Sequence, residues 1–317
     1  RRGKDGTIGT AGISVPGAAA ETSLVAIDEG IASITLADGP AGLRLNKFYD
    51  VVNGERKIQD FIDSVEDGLF RISDEKQGER YYQFCTAFPI GTVLAQSWDR
   101  EVLKKVGRAV AAELEIFQIT LWLAPGMNIH RNPLCGRNFE YYSEDPYISG
   151  TIAAAMTEGV QFNYGCGTTI KHFACNNQED NRMGSDSVVS ERALREVYLK
   201  GFEIAVRQSQ PMSIMTSYNL INGVHAANNY DLCTETARNE WGFKGMIMTD
   251  WTTTEHGDTC TASGCMRAGN DLVMPGCFGD HDNLHRELAE GTLTIRELKA
   301  CIARLVSVIW RSNQYLK

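Results

Sequence analysis

No stretch of the 317-residue sequence strings together the roughly 18 apolar residues that a membrane-crossing helix needs, so no such span is expected. The two common phosphate-cradling glycine motifs are also missing. No G-x-G-x-x-G follows an apolar run and no G-x-x-x-x-G-K-[ST] occurs, so dinucleotide-binding and P-loop readings lose their main support. Basic residues are in the minority: 31 Lys and Arg stand against 40 Asp and Glu, for a formal net charge of −9. Binding a nucleic-acid backbone takes clustered Lys and Arg, so a neutral ligand suits this chain better. Nine cysteines are present but no C-x-x-C pair, and Cys260 and Cys265 are the two nearest in sequence. That pattern reads as reduced, partly buried thiols and favours a cytoplasmic over a secreted setting. A signal-like apolar stretch is absent after Arg1, so the chain is expected to start inside a larger or processed protein.

What is present is a near-average globular composition, 43% hydrophobic and 22% charged, enough for a large core. Residues 1–22 are rich in Gly and Ala without a clear period and read as an irregular lead-in or linker. From there short apolar runs alternate with helix-period segments. Ala32–Ala37, Val93–Gln96, Ile119–Ala124, Gly167–Phe173, Met212–Thr216, Gly245–Thr249 and Asp271–Met274 read as strands, with Ser23–Ile27 as a possible eighth. Asp99, Ser190 and Thr294 stand at helix starts, and Pro146 opens another. The last helix carries Leu298, Ile302, Leu305, Val306 and Ile309 as its apolar stripe. The 45–83 segment is polar and too long for an ordinary connection, which suggests a functional loop or a cover over a site. Repeated βαβ units predict an α/β fold, a (β/α)8 TIM-like barrel with an irregular first strand–helix unit, over residues 23–317.

Chemistry is expected where buried parallel strands end. Met246, Ile247 and Met248 are consecutively apolar, as in a strand covered on both faces, and the run breaks into Thr249, Asp250 and Trp251. From spacing alone Asp250 is equally a helix N-cap or a functional carboxylate. Other strand ends offer Asp38, the Lys171–His172 pair and Tyr218, and a loop carrying Arg137 follows a further strand. In a barrel all these ends open onto one mouth, ringing a pocket with carboxylates, cations and aromatic faces. A neutral polyhydroxylated ligand needs that mixture. Each residue also has a bland reading. Arg44 can simply pair with Asp38, His172 can be a buried structural histidine, and strand alternation can turn one of Lys171 and His172 away. Glu140, Glu144 and Asp145 can tie their loop to Arg131 or Arg137, as Glu179 can tie to Arg182. His281 and His285 lie four apart but have no further ligand nearby in sequence, so no metal is expected.

The segments DGPAGLR, GRNFEYYSEDP, KHFACNNQEDNR, SYN and MTDW, in this order, resemble the catalytic barrel of glycoside hydrolase family 3, the β-glucosidase family, over about Leu36–Pro275. The resemblance implies a retaining glycosidase without a cofactor, acting on a β-glucoside or short β-gluco-oligosaccharide and releasing terminal non-reducing β-D-glucosyl units. Asp250 in MTDW takes the nucleophile's position. Asp38, Arg44, Arg137, Lys171 and His172 match the sugar-binding set, with Tyr218 beside the nucleophile and Trp251 flanking the sugar. The same scaffold serves β-xylosidases and α-L-arabinofuranosidases, and a barrel without its acid would be a non-catalytic sugar-binding module. In the main branch of the family the acid/base glutamate comes from an α/β-sandwich domain, for which this chain has no room. The acetylglucosaminidase branch instead carries K-H-F-P-G-H-G, and here Asn176 and Asn177 stand where its histidine is needed. The resemblance therefore implies a partner domain or chain that supplies the acid.

Overall fold

The computed structural model describes residues 14–57, 75–255 and 259–315. β1 (Ala20–Glu21) pairs antiparallel with β2 (Thr35–Asp38), so the end of the Gly/Ala-rich lead-in enters the fold, with Val15, Ala18 and Ala20 buried. β3 (Phe48–Val52), β4 (Glu55–Lys57) and β5 (Glu79–Tyr82) form a separate antiparallel sheet in the order β4-β3-β5. The 45–83 segment is thus in part a small sheet, because Phe48, Tyr49, Tyr81 and Tyr82 pair across its strands. β6 (Leu121–Leu123) and β7 (Gly167–Phe173) return to the main sheet. β8 (Asp186–Ser187) joins a third, small sheet, and β9 (Ser213–Thr216) returns to the main one. β10 (Leu220–Ile221) and β11 (Val224–His225) complete the small sheet, and β12 (Met246–Met248) ends the main one.

The main sheet runs β1-β2-β6-β7-β9-β12, parallel from β2 onward. Spatial neighbours follow chain order without reversal, the winding of a barrel and not of a doubly wound open sheet. Alternate strand residues divide between two cores. Ala37, Trp122, Ile170, Ile214 and Ile247 pack outward against helices, while Leu36, Leu121, Leu123, Met215, Met246 and Met248 pack inward. The architecture is therefore α/β, with a mainly parallel sheet curled as part of a barrel.

Eightfold closure is not complete among the described residues, and three strand expectations are corrected. Ser23–Ile27 is not a strand: Val25 is 88% exposed, and Ile27–Glu29 forms a 3-10 turn. Asp271–Met274 contributes only a bridge from Met248 to Leu272, because Met274 N–H donates to the Thr249 hydroxyl and not to a ladder carbonyl. Val93–Gln96 falls in a helical turn, α1 (Gly91–Ala95), held by Thr92 Oγ1 donating to Asn138 and Tyr141 carbonyls.

Asp99 caps α2 (Arg100–Ile116), accepting from Glu101 and Val102 N–H, and Asp145 caps α3 (Pro146–Val160). Ser190 likewise accepts from Ala193 N–H before α4 (Lys200–Ser209). α2 and α3 meet at glycines. A Cβ on Gly107 would lie 2.6 Å from Met156 O and 2.9 Å from Gly159 Cα. Gly107→Val should therefore cost about 1–3 kcal/mol through overpacking, read as a lowered Tm; an unchanged Tm would show that the helices part freely. The chain closes with α5 (Asp231–Glu240), a wide π-type helix, then α6 (Ala262–Ala268), α7 (Phe278–Glu290) and α8 (Ile295–Trp310). The expected α8 stripe is only partly right. Cys301, Val308 and Ile309 are its buried residues, and Ile302 is 49% exposed, because the helix plugs the inner core with Val308 and Ile309. Among the described residues no helix is long and apolar enough to cross a membrane.

Candidate active site

The carboxyl ends of the main-sheet strands open into a cleft of about 960 Å³. Asp38 ends β2, and the turn after it is fixed by Gly39. At φ +125° a side chain is disfavoured there, and a Cβ would sit 1.9 Å from Gly42 O. Trp122 Nε1 from β6 donates to Gly39 O at 2.7 Å, and Arg44 N–H donates back to Asp38 O at 2.8 Å. The Asp38 carboxylate bridges two cations, Lys171 Nζ at 2.7 Å and the Arg44 guanidinium. Burial alone would raise its pKa, but Lys171 and Arg44 outweigh burial and hold it at about 2.

Lys171 and His172 both line the cleft. Strict alternation would have sent one away. The β7–β9 ladder instead shifts register between Lys171 and Phe173, a bulge-like irregularity that re-aims side chains. Asn128 clamps the His172 backbone, accepting its N–H and donating to its carbonyl, both at 2.8 Å. Burial, reinforced by Arg137, Lys171 and Arg182, pushes the His172 pKa well below its usual value, so the ring is neutral at pH 7. Its tautomer follows from its neighbours. Asn176 Nδ2 donates to Tyr141 Oη at 3.0 Å, and Tyr141 Oη lies 3.1 Å from His172 Nδ1. Tyr141 thus donates to Nδ1, and the ring proton sits on Nε2, which points at Asp250 Oδ2 from 3.7 Å.

Asp250 follows β12. Its carboxylate accepts Trp251 N–H at 2.7 Å, and Tyr218 stands beside it, its pKa raised by burial and by the Asp250 charge. Among the described residues no backbone N–H two or three residues on is seen donating to it, which sets it apart from a helix cap. Thr249 N–H bonds Leu272 O, which fixes the strand exit. Burial raises the Asp250 pKa, opposed by Lys171, Arg137, the Trp251 N–H and Arg182. Tyr218 is held from behind by His225 Nδ1 on its carbonyl at 3.0 Å, and the Arg182 guanidinium lies 4.6 Å above its ring. Arg137 lines the same cleft and pairs with the buried Glu140, whose own pKa burial raises.

The structure therefore brings Asp38, Arg44, Arg137, Lys171, His172, Asp250 and Trp251 to one cleft, with Tyr218 beside Asp250. Arg44 does pair with Asp38. Glu140 pairs with Arg137 and Glu179 with Arg182, at 2.9 Å for the second pair. Asn176 bonds Tyr141 and Glu179, and Asn177 bonds Ile129 O. Sequence reasoning missed Tyr141 and Asn128 as supports of His172 and undervalued Arg182. Their partners are distant in sequence or hidden in polar loops, so no periodic signal marks them. His281 and His285 meet ring to ring at 6.4 Å, and no group of three or more His, Cys, Asp or Glu that could hold a metal ion occurs among the described residues.

A neutral imidazole, an anion within reach of three cations, and a paired carboxylate suit hydroxyl recognition around one electrophilic carbon. Residues 17–308 match the model of the glycosyl hydrolase family 3 N-terminal domain. The chain is 39% identical over 281 residues to an exo-α-(1→6)-L-arabinopyranosidase of Bifidobacterium longum, covering 89% of this chain and 33% of that protein. It is 44% identical over 250 residues to a β-glucosidase of Ruminococcus albus, covering 76% and 26%. Its structure is similar to that of β-glucosidase 3B from Thermotoga neapolitana in complex with α-D-glucose, with a TM-score of 0.80 and 42% identity over 94% of this chain and 38% of that one. The chain thus spans about one third or less of the relatives' own length. By its sequence and its fold, it belongs to glycosyl hydrolase family 3.

Proposed function

We propose that this chain is the nucleophile-bearing (β/α)8 barrel of a retaining glycosidase that releases terminal non-reducing β-D-glucosyl units, a barrel that takes in β1 as well as the residues from 23 onward. The observation that carries this reading is Asp250: a carboxylate only 13% exposed at a parallel-strand exit, with Tyr218 beside it, facing a cleft ringed with hydroxyl-binding groups. Asp250 attacks the anomeric carbon as the bond to the leaving oxygen breaks, and water then resolves the glycosyl ester. Burial makes the free carboxylate costly, and bond formation consumes that charge, which favours the step. Asp38, Lys171, Arg137 and the Nε2–H of neutral His172 bind the sugar hydroxyls, Arg44 holds Asp38 charged, and Trp251 flanks the ring.

Retention needs a second carboxyl about 5–5.5 Å from the nucleophile. Asp38 is tied to Lys171 and Arg44, Glu140 to Arg137, and Glu179 to Arg182 and Asn176. With these carboxylates engaged, the acid/base is read as coming from the α/β-sandwich partner domain or chain that the family resemblance implies. All nine cysteines carry free thiols, which supports a reducing, cytoplasmic setting.

A 2-fluoro-β-glucoside should label Asp250, identified by peptide mapping; labelling of Glu140 or Glu179 would move the nucleophile. A second reading is favoured by the relative named as an arabinopyranosidase. It keeps the mechanism and places a pentose in the glycosyl subsite, as the xylosidase and arabinofuranosidase readings also do. Nitrophenyl β-D-glucoside, β-D-xyloside, α-L-arabinopyranoside and α-L-arabinofuranoside separate these. The glucosidase reading expects the first to have the highest kcat/KM.

A further inference from the structure

The cleft is much larger than its charged end. At about 960 Å³ it lies near the top of the roughly 300–1,000 Å³ range of pockets that enclose whole drug-sized ligands, well beyond one sugar ring. Asp38, Lys171, His172 and Asp250 stand at the strand ends. The lining also takes in the segment after β5, Gln83 to Ala87, together with Leu45, Lys47 and Phe139 as a second wall. That wall is apolar apart from Lys47, Gln83 and Thr86, and the Gln83 amide is committed, donating to Pro16 O and Asn46 O at 2.8 Å each.

Phe84 on this wall is 76% exposed, a large apolar side chain that core packing does not account for. One face is backed by Tyr82, whose ring stacks on it at 5.7 Å with 3° between planes. Phe48 in turn meets Tyr82 edge-on at 6.1 Å. The backbone on both sides is pinned. Gln83 N–H donates to Lys47 O, Thr86 N–H to the Glu113 carboxylate, and Phe88 N–H to Ala41 O in the turn that follows Asp38. An aromatic face backed on one side and carried on a hydrogen-bonded backbone, beside a charged site, is suited to a flat apolar group.

We propose that Phe84, backed by Tyr82, is the floor of the leaving-group subsite, and that it selects aryl aglycones over a second hexose. The assignment rests on the glycosidase reading for the neighbouring glycosyl site. A second hexose needs hydrogen-bonding partners along its edges, and this wall offers few. An aryl ring needs only the face.

The test compares methyl β-D-glucoside with 2-naphthyl β-D-glucoside in the protein assembled with its acid-supplying domain or chain, and in the same assembly carrying Phe84→Ala or Phe84→Leu. Phe84→Ala should raise KM for the naphthyl glucoside about tenfold, equivalent to about 1.4 kcal/mol. KM for the methyl glucoside and inhibition by glucose should change less than twofold. Phe84→Leu, which keeps bulk but not the flat face, should fall between. Equal shifts for both glycosides would overturn the assignment by making Phe84 a structural residue or a part of the glycosyl site. No shift for either would overturn it by showing that the aglycone lies elsewhere. If no glycoside is turned over, the glycosidase reading fails separately. Calorimetric binding of 2-naphthyl 1-thio-β-D-glucoside still decides the aromatic subsite: tenfold weakening by Phe84→Ala supports it, and unchanged affinity or no binding refutes it.

Discussion

Replacing Asp250 by Asn should lower kcat for glycoside hydrolysis by on the order of 10⁴–10⁶, the scale on which removal of a covalent nucleophile acts. Sugar binding should survive, because Asp38, Lys171 and Arg137 keep their positions without it. The same variant carries a stability prediction of opposite sign. Burial raises the Asp250 pKa, so the folded protein holds this proton more tightly than the unfolded chain does. The stability it contributes is present below the ordinary aspartate pKa and is lost as pH rises through the folded value. Asn does not titrate. At pH 7 the variant should therefore melt above the parent, and the gap should narrow as pH falls toward about 4. Near-normal turnover would sink the nucleophile assignment, and a variant less stable at pH 7 would sink the account of its burial.

Asp271→Ala should be the most damaging single change to the fold. Asp271 has a fully buried side chain, accepts Ile247 N–H at 2.9 Å, and binds Arg238 Nη2 and Arg304 Nε at 2.7 Å each. It thus ties α5 and α8 to β12, the strand that delivers Asp250. Removing the anion leaves two cations facing each other without their shared counter-charge, Arg238 deeply buried and Arg304 partly so. Breaking a buried pair from one side costs about 3–5 kcal/mol, on the order of 10 °C in Tm for a chain of this size. Thermal unfolding checks this directly; a loss under about 2 °C would mean that water reaches the two guanidinium groups.

Neither property of Asp271 was visible in the sequence. It was read as the first residue of an apolar strand, and its partners lie 33 positions before and after it. Asp250, by contrast, was already marked by its place after three consecutive apolar residues. Strand β7 was legible to the residue as Gly167–Phe173, where Thr168, Thr169 and Ile170 are β-branched in succession. The helix caps at Asp99, Asp145 and Thr294 follow from local hydrogen-bond chemistry, and Asp99 and Thr294 were read from it. The reading failed where tertiary bonds outbid local preference. Val93 has strand-like branching, yet its neighbour Thr92 is held by carbonyls nearly fifty residues away.

The sequence by itself determined the α/β alternation, the family and the set of residues at the strand ends, because these are carried by local periodicity and by short motifs in fixed order. It left open whether Asp250 caps a helix, whether Lys171 and His172 face the same way, and which nitrogen of His172 holds the proton. Only the tertiary structure decided those. The first depends on the cleft that Asp250 lines with Tyr218 beside it, the second on a register shift against β9, and the third on Tyr141 and Asn176. All three turn on partners brought together by folding, and no window along the chain contains them.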